Sequence, residues 1–247
     1  IISMRGTSRS AIRRCSFGNP WDRVLIITER GGSGNNLIED NIFIDCEWDP
    51  SDPHPFDNNP VTHPTSSPSN RGANGVVRIS SPRTIFRNNI VVGSNEGKGE
   101  EGAGAVHLTF YDASTPFINA DNCRFLHNTI HDARKNCFSV FRNQAVEDLV
   151  SALDIRFLNN SFSGADGFAY YHRDDDVDIS SWSFRKNRFS HKDRDVVLKI
   201  DGPNPEERTI ADQEAISQRW TDNIGTDPVF SRSVRAQEID TDPSAFK

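Results

Sequence analysis

One spacing of apolar and polar positions recurs along this chain: apolar, any, any, Asn, any, apolar. It reads Ile38-Glu-Asp-Asn41-Ile-Phe43, Phe86-Arg-Asn-Asn89-Ile-Val91 and Phe125-Leu-His-Asn128-Thr-Ile130. It continues as Phe157-Leu-Asn-Asn160-Ser-Phe162 and Phe184-Arg-Lys-Asn187-Arg-Phe189, and it opens with a variant, Ile12-Arg-Arg-Cys15-Ser-Phe17. Successive first positions lie 26, 48, 39, 32 and 27 residues apart. A constant hexad at irregular intervals describes one supersecondary unit that carries insertions.

A second element with apolar residues at alternate positions follows each hexad, at 23–28, 75–80, 105–111, 137–142, 167–171 and 196–201. Alternation is the period of a half-buried strand. Two strands per coil, stacked coil on coil, predict parallel sheets. The hexad Asn has a structural reason to recur. At a tight bend it tolerates a left-handed backbone, and its amide can bond to neighbouring main chain. Stacked at one corner, these amides would form a ladder, ending at Cys15 where Asn is replaced.

Residues 203–221 interrupt the pattern. Thr209 followed by Asp212 reads as a helix N-cap with an acidic first turn, and Ile210, Ala211, Ala215 and Ile216 would line one face of a short helix running to about Arg219. This segment is expected to cap the open end of the repeat, with an extended tail beyond it. The division is therefore 1–202 for the repeat, with long loops at 44–74 and 93–104, and 203–247 for the cap and tail. No comparable cap precedes Ile12, so further coils or a cap are expected upstream, together with any secretion signal.

These hexads and strands resemble the right-handed parallel β-helix proteins of the pectin-lyase-like superfamily. The resemblance covers roughly residues 10–201, and Asp222-Asn-Ile-Gly-Thr-Asp-Pro-Val-Phe230 looks like the tails that follow the last coil in such proteins. It implies an all-β, right-handed single-stranded solenoid of about six irregular coils. It also implies a secreted protein acting on polysaccharide, since polysaccharide lyases, hydrolases and epimerases share this fold. The reaction itself belongs to the site and not to the fold.

Composition narrows the partners. Hydrophobic residues make up 35% and charged residues 26% of 247, with a net charge of -7. No run approaches the roughly 18 apolar residues of a membrane helix. The acidic balance argues against nucleic acid, whose binders are basic. Cys15, Cys46, Cys123 and Cys137 show no metal-like spacing and read as free buried thiols.

Alternation also divides the second strands into faces. Leu25, Ile27, Val77, Ile79, Val106, Leu108, Phe138, Val140, Phe168, Tyr170, Val196, Leu198 and Ile200 are expected inward. Arg78, His107, Thr109, Tyr111, Phe141, Tyr171 and Lys199 are expected to face water as a stripe about 20 to 25 Å long, suited to a short oligosaccharide. Tyr111, Phe141 and Tyr171 would stack on sugar rings, while Arg78 and Lys199 would attract an acidic sugar. Elimination on a uronic acid needs a cation beside the carboxylate, a base for the C5 proton and an acid for the leaving oxygen. His107 or Lys199 could be the base, Arg78 or Arg173 the cation, and Tyr171 or Tyr111 the acid. Calcium could replace the arginine if carboxylates converge. The run Asp174-Asp175-Asp176-Val-Asp178 is the best local ligand set, although such runs are ordinarily solvated loops.

Within 44–74, Asp52-Pro53-His54 is similar to the Asp-Pro-His motif of alginate C5-epimerases, which implies Asp52 and His54 as a catalytic pair. Pro55 and the lack of a Tyr just before Asp52 depart from that pattern. The Gly-His-Gly signature of galacturonan hydrolases, the nucleophile elbow and phosphate loops are absent. The leading expectation is a secreted polysaccharide lyase with Arg78, His107, Tyr171 and Lys199 at its centre. The alternatives are a non-catalytic carbohydrate-binding or spike module, and a uronan epimerase or glycoside hydrolase.

Overall fold

A computed structural model describes residues 2–5, 7–18, 25–28, 34–44, 76–93, 104–110, 120–133, 135–142, 150–151, 153–172, 177–200 and 206–225. Strands dominate them. The chain passes repeatedly through three sheets in rotation, adding one parallel strand to each on every pass.

The first sheet holds the alternating segments: Ile2–Arg5, Leu25–Thr28, Val77–Ile79, Gly104–Phe110, Asn136–Arg142, Tyr170–His172 and Leu198–Ile200. The second and third sheets come from the hexads. Their first halves supply Ala11–Arg13, Leu37–Glu39, Ile85–Arg87, Arg124–Leu126, Arg156–Leu158 and Ser183–Arg185, and their second halves supply Ser16–Gly18, Ile42–Ile44, Ile90–Val92, Thr129–His131, Ser161–Ala165 and Arg188–His191. There are thus three strands per repeat where the sequence pattern predicts two, because each hexad bends in the middle.

The bend corrects a second expectation. The left-handed residue is the one before the Asn: Asp40, Asn88, His127, Asn159 and Lys186 all have φ between 53° and 56°. For a residue with a Cβ this conformation costs roughly 1–2 kcal/mol. The Asn that follows offsets that cost. Asn89 donates its backbone N–H and Nδ2 to Asn128 Oδ1 at 3.0 and 3.1 Å, and Nδ2 also donates to the Ile38 carbonyl at 3.0 Å. The same triplet recurs at Asn41, Asn128, Asn160 and Asn187. At one end Cys15 contributes only its N–H, given to Asn41 Oδ1 at 3.0 Å. At the other end the ladder continues to Asn223, beyond the last full hexad. Trp220–Thr221 adds a further parallel strand to the second sheet there.

Hexad first positions stack inside. Phe125–Phe157, Phe157–Phe184 and Phe184–Trp220 have ring centroids 4.8, 4.4 and 3.9 Å apart with nearly parallel planes. Each such contact adds about 1 kcal/mol beyond simple burial. Phe138, Tyr170 and Trp182 fill the remaining space, and all are fully buried. Cys123 and Cys137 are buried free thiols as expected, but Cys15 is exposed because its corner lies at the end of the ladder. Cys46 lies outside the described residues.

The end of the repeat is closed differently in two places. Glu206–Arg208 pairs antiparallel with Leu198–Ile200, which ends parallel growth of the first sheet. The helix Ile210–Ile216 begins at the anticipated N-cap Thr209, where a reciprocal capping box forms, Asp212 N–H donating to Thr209 Oγ1 at 3.2 Å and Thr209 N–H to Asp212 Oδ2 at 3.2 Å. It stops at Ser217 and buries Ile210 and Gln213, leaving Ala211, Ala215 and Ile216 exposed. Of the predicted apolar face only Ile210 is buried. A polar requirement orients the helix: Glu214 Oε1 accepts the N–H and Nδ2 of Asn223 at 2.8 and 3.0 Å, ending the ladder on a carboxylate. No described helix is long and apolar enough to cross a membrane.

Two outcomes follow. Asn128→Leu strips the acceptor from Asn89 and the donor from Phe86 and Asn160, and should lower unfolding free energy by about 3 kcal/mol in guanidinium titration, buried unpaired groups costing this much. The Asp154 carboxyl is shifted below its ordinary value because it accepts hydrogen bonds from Arg156 and sits beside Arg124. A depressed carboxylate adds stability above its unfolded value of 3.8 and loses it as pH falls through the folded one. Wild type should therefore lose more stability between pH 4 and lower pH than Asp154→Asn, read by urea midpoints across that range.

Candidate functional site

The first sheet sets the geometry of the candidate site. Its pairing aligns Ile26, Arg78, His107, Ser139, Tyr171, Lys199 and Glu207 across successive strands. The neighbouring positions Val77, Val106, Phe138, Tyr170 and Leu198 belong to the core, so alternation puts Arg78, His107, Ser139, Tyr171 and Lys199 on the other face. Arg78 and His107 are on adjacent strands, as are Tyr171 and Lys199. His107 and Tyr171 are two strands apart, about 10 Å at ordinary strand spacing.

The face is as anticipated, but its access to water is not. His107 is 0% exposed, Tyr171 4% and Arg78 6%. Lys199 is half-buried. Strand alternation determines the side of the sheet a residue occupies, and says nothing of what lies over that side. The row is a buried polar line whose accessible end is at Lys199.

At that end the row meets residues from outside the aligned strands. Lys199 Nζ lies 5.1 Å from the Tyr171 ring centroid and 5.8 Å from that of Phe168. The Arg194 guanidinium sits 4.3 Å over Phe168, donates to the Gly167 carbonyl at 3.0 Å and pairs with Glu207 at 3.6 Å. Phe168 and Tyr171 rings are 6.2 Å apart. Two cations held over two aromatic rings make a surface suited to a ring-shaped, anionic ligand.

Phe168 was expected in the core. It is half-buried instead, and Ala169 takes the core position. The cause is local: Asn136 Oδ1 accepts the Phe168 N–H at 2.8 Å, and strand pairing starts only at Tyr170. Val196 likewise is only half-buried, with Val197 in the core. Ser139 follows from the same alternation as its neighbours and is missed only by favouring ionisable and aromatic types. Arg194 and Glu207 carry no signal in the repeat.

Other expected residues are not joined to this row by anything described. Asp52, His54, Tyr111, Arg173 and Asp174 to Asp176 lie outside the described residues, as do the loop bodies of 44–74 and 93–104. Phe141 pairs with Thr109 in backbone register, and the side chains of both lie outside them as well. Among the described residues no three His, Cys, Asp or Glu side chains cluster as metal ligands, so the calcium expectation has no described ligand set.

On the inner face next to this row, burial pushes the Tyr170 phenol far up, and its hydroxyl has no hydrogen-bond partner among the described residues. Removing such a group relieves a desolvation cost of about 1 kcal/mol. Tyr170→Phe should therefore raise the unfolding free energy by about 1 kcal/mol, read by guanidinium titration. No family model, curated protein or solved structure matches the chain.

Proposed function

We propose that the chain is a right-handed, single-stranded parallel β-helix of the pectin-lyase-like kind, secreted, and a lyase that cleaves an acidic polysaccharide by β-elimination. Rotation of the chain through three parallel stacks, with stacked aromatics inside and an Asn ladder at one corner, supports the architecture. The chemistry rests on one observation, the common register of Arg78, His107, Tyr171 and Lys199 on one face of the first sheet.

In this reading the C5 proton leaves to His107 or Lys199, Arg78 neutralises the adjacent carboxylate, and Tyr171 returns a proton to the leaving oxygen. Arg194 and Lys199, over Phe168 and Tyr171, receive a neighbouring sugar ring. A second reading is a module that grips the polymer without cleaving it. It is favoured by the burial of Arg78 and His107, which leaves Phe168, Lys199 and Arg194 as the accessible part of the cluster. A C5-epimerase or hydrolase would draw on Asp52 and His54 instead.

Incubation with polygalacturonate, alginate and hyaluronan, followed by absorbance of a new C4–C5 double bond, separates these readings. A lyase gives rising absorbance with at least one polymer. Tyr171→Phe should then cut kcat about 100-fold, the lower range for loss of a general acid. Retention on affinity gels with no absorbance from any polymer would reject the lyase in favour of the binding module.

A further inference from the structure

The second sheet carries an outer face that the proposed site does not use, and its charge runs against that of the whole chain. Along one outer row, Arg13, Glu39, Arg87, Leu126, Leu158 and Arg185 are in register. In the row beside it, Arg124 and Arg156 are adjacent. At the corner next to the sheet, Arg14 and Lys186 occupy equivalent left-handed positions, both exposed. The acids set among them are Glu39, Asp40, Asp154 and Asp222. Basic residues are in excess, although the chain carries a net charge of -7.

The acids organise the arginines more than they neutralise them. Buried Glu39 holds two guanidinium groups, Arg13 Nε at 2.6 Å and Arg87 Nη2 at 2.5 Å. Asp154 holds Arg124 at 3.1 Å and Arg156 at 2.9 Å. Glu39 and Asp154 therefore each fix two cations and leave one positive charge over, while Asp222 pairs with Arg185 alone at 3.7 Å. The fixed arginines still face solvent: the side chains of Arg13, Arg87 and Arg156 are 53%, 43% and 54% exposed. A guanidinium anchored by one edge can present its other N–H groups to a second carboxylate or sulfate.

We infer that this face is a second binding surface for an acidic polysaccharide, distinct from the buried row on the first sheet. Seven strands span about 29 Å at ordinary spacing, enough for several sugar rings of an extended chain lying across the strands. Duplex DNA presents one charge per about 1.7 Å, which would lay phosphates against Glu39, Asp40, Asp154 and Asp222. A uronan, with one carboxylate per ring, can meet the arginines and pass between those acids. The choice of a uronic-acid polymer rests on the proposed function; the basic surface itself does not.

The test is affinity electrophoresis of the full chain through gels containing polygalacturonate or alginate, with dextran and an oligonucleotide of equal length as comparisons. The variant Arg14→Gln/Arg156→Gln/Arg185→Gln/Lys186→Gln removes four exposed charges and leaves buried Glu39 with both partners. It should weaken retention about tenfold at low salt and flatten its salt dependence, with an unchanged circular dichroism spectrum and only a small fall in melting temperature, because Asp154 loses Arg156 but keeps Arg124. The single variant Arg14→Gln, at an exposed corner, should show a smaller effect in the same direction if the quadruple variant folds poorly. Equal retention of wild type and both variants would overturn the inference, as would retention by dextran or equal retention by the oligonucleotide. Tyr171→Phe serves as the counterpart: loss of double-bond formation with retention intact concerns the first sheet alone. Absence of cleavage by wild type removes the proposed lyase and leaves this surface to be judged by retention.

Discussion

The asparagine ladder is the interaction on which the rest of this fold depends. At every repeat the backbone enters a left-handed conformation at the residue before the ladder Asn, readily tolerated by Asp40, Asn88 and Asn159 but not by Lys186. It stays there because the next residue bonds the repeats on both sides. The side-chain oxygen accepts two donors from the preceding Asn, while the nitrogen donates onward to the next Asn oxygen and back to a carbonyl of the preceding repeat. Buried amides in such a chain polarise one another, so each bond strengthens the next. With the corner held, Phe125, Phe157 and Phe184 come into stacking distance and the outer rows of all three sheets fall into register.

A row of bonds that all point one way must end on an acceptor that gives nothing back. Glu214 meets that need at the Asn223 end, which accounts for the otherwise odd choice of a seven-residue helix that leaves Ile216 exposed. Gln213 is drawn in with it, accepting from Arg208 Nη1 at 2.7 Å. The opposite end is simpler, since a backbone N–H from Cys15 satisfies the first oxygen.

Much of this was legible in the sequence. The hexads and the alternating segments announce parallel stacking, and the N-cap at Thr209 is readable from two residues. Two features were hidden because they depend on neighbours in space. Asn has the better left-handed propensity, so the bend was placed on it, whereas its side-chain bonds require it to follow the bend. The helix face was read from Ile210, Ala211, Ala215 and Ile216, of which only Ile210 is buried, because a distant Asn sets the orientation. At the candidate site, alternation identified the face of Arg78, His107, Tyr171 and Lys199. The burial of the first three depends on what lies above the sheet, which strand period does not encode. Phe168 was misassigned because one bond to Asn136 delays the start of the strand from Gly167 to Tyr170.

The ladder also separates what the chain must keep from what it can vary. Hexads separated by as few as 26 and as many as 48 residues converge on one bonded row, so intervening length carries little structural penalty. A loop between two fixed points costs only slowly more as it grows. The molecule is thus a rack with its rungs bolted at one corner, on which segments of very different size can hang from successive rungs without altering the spacing of the rungs themselves.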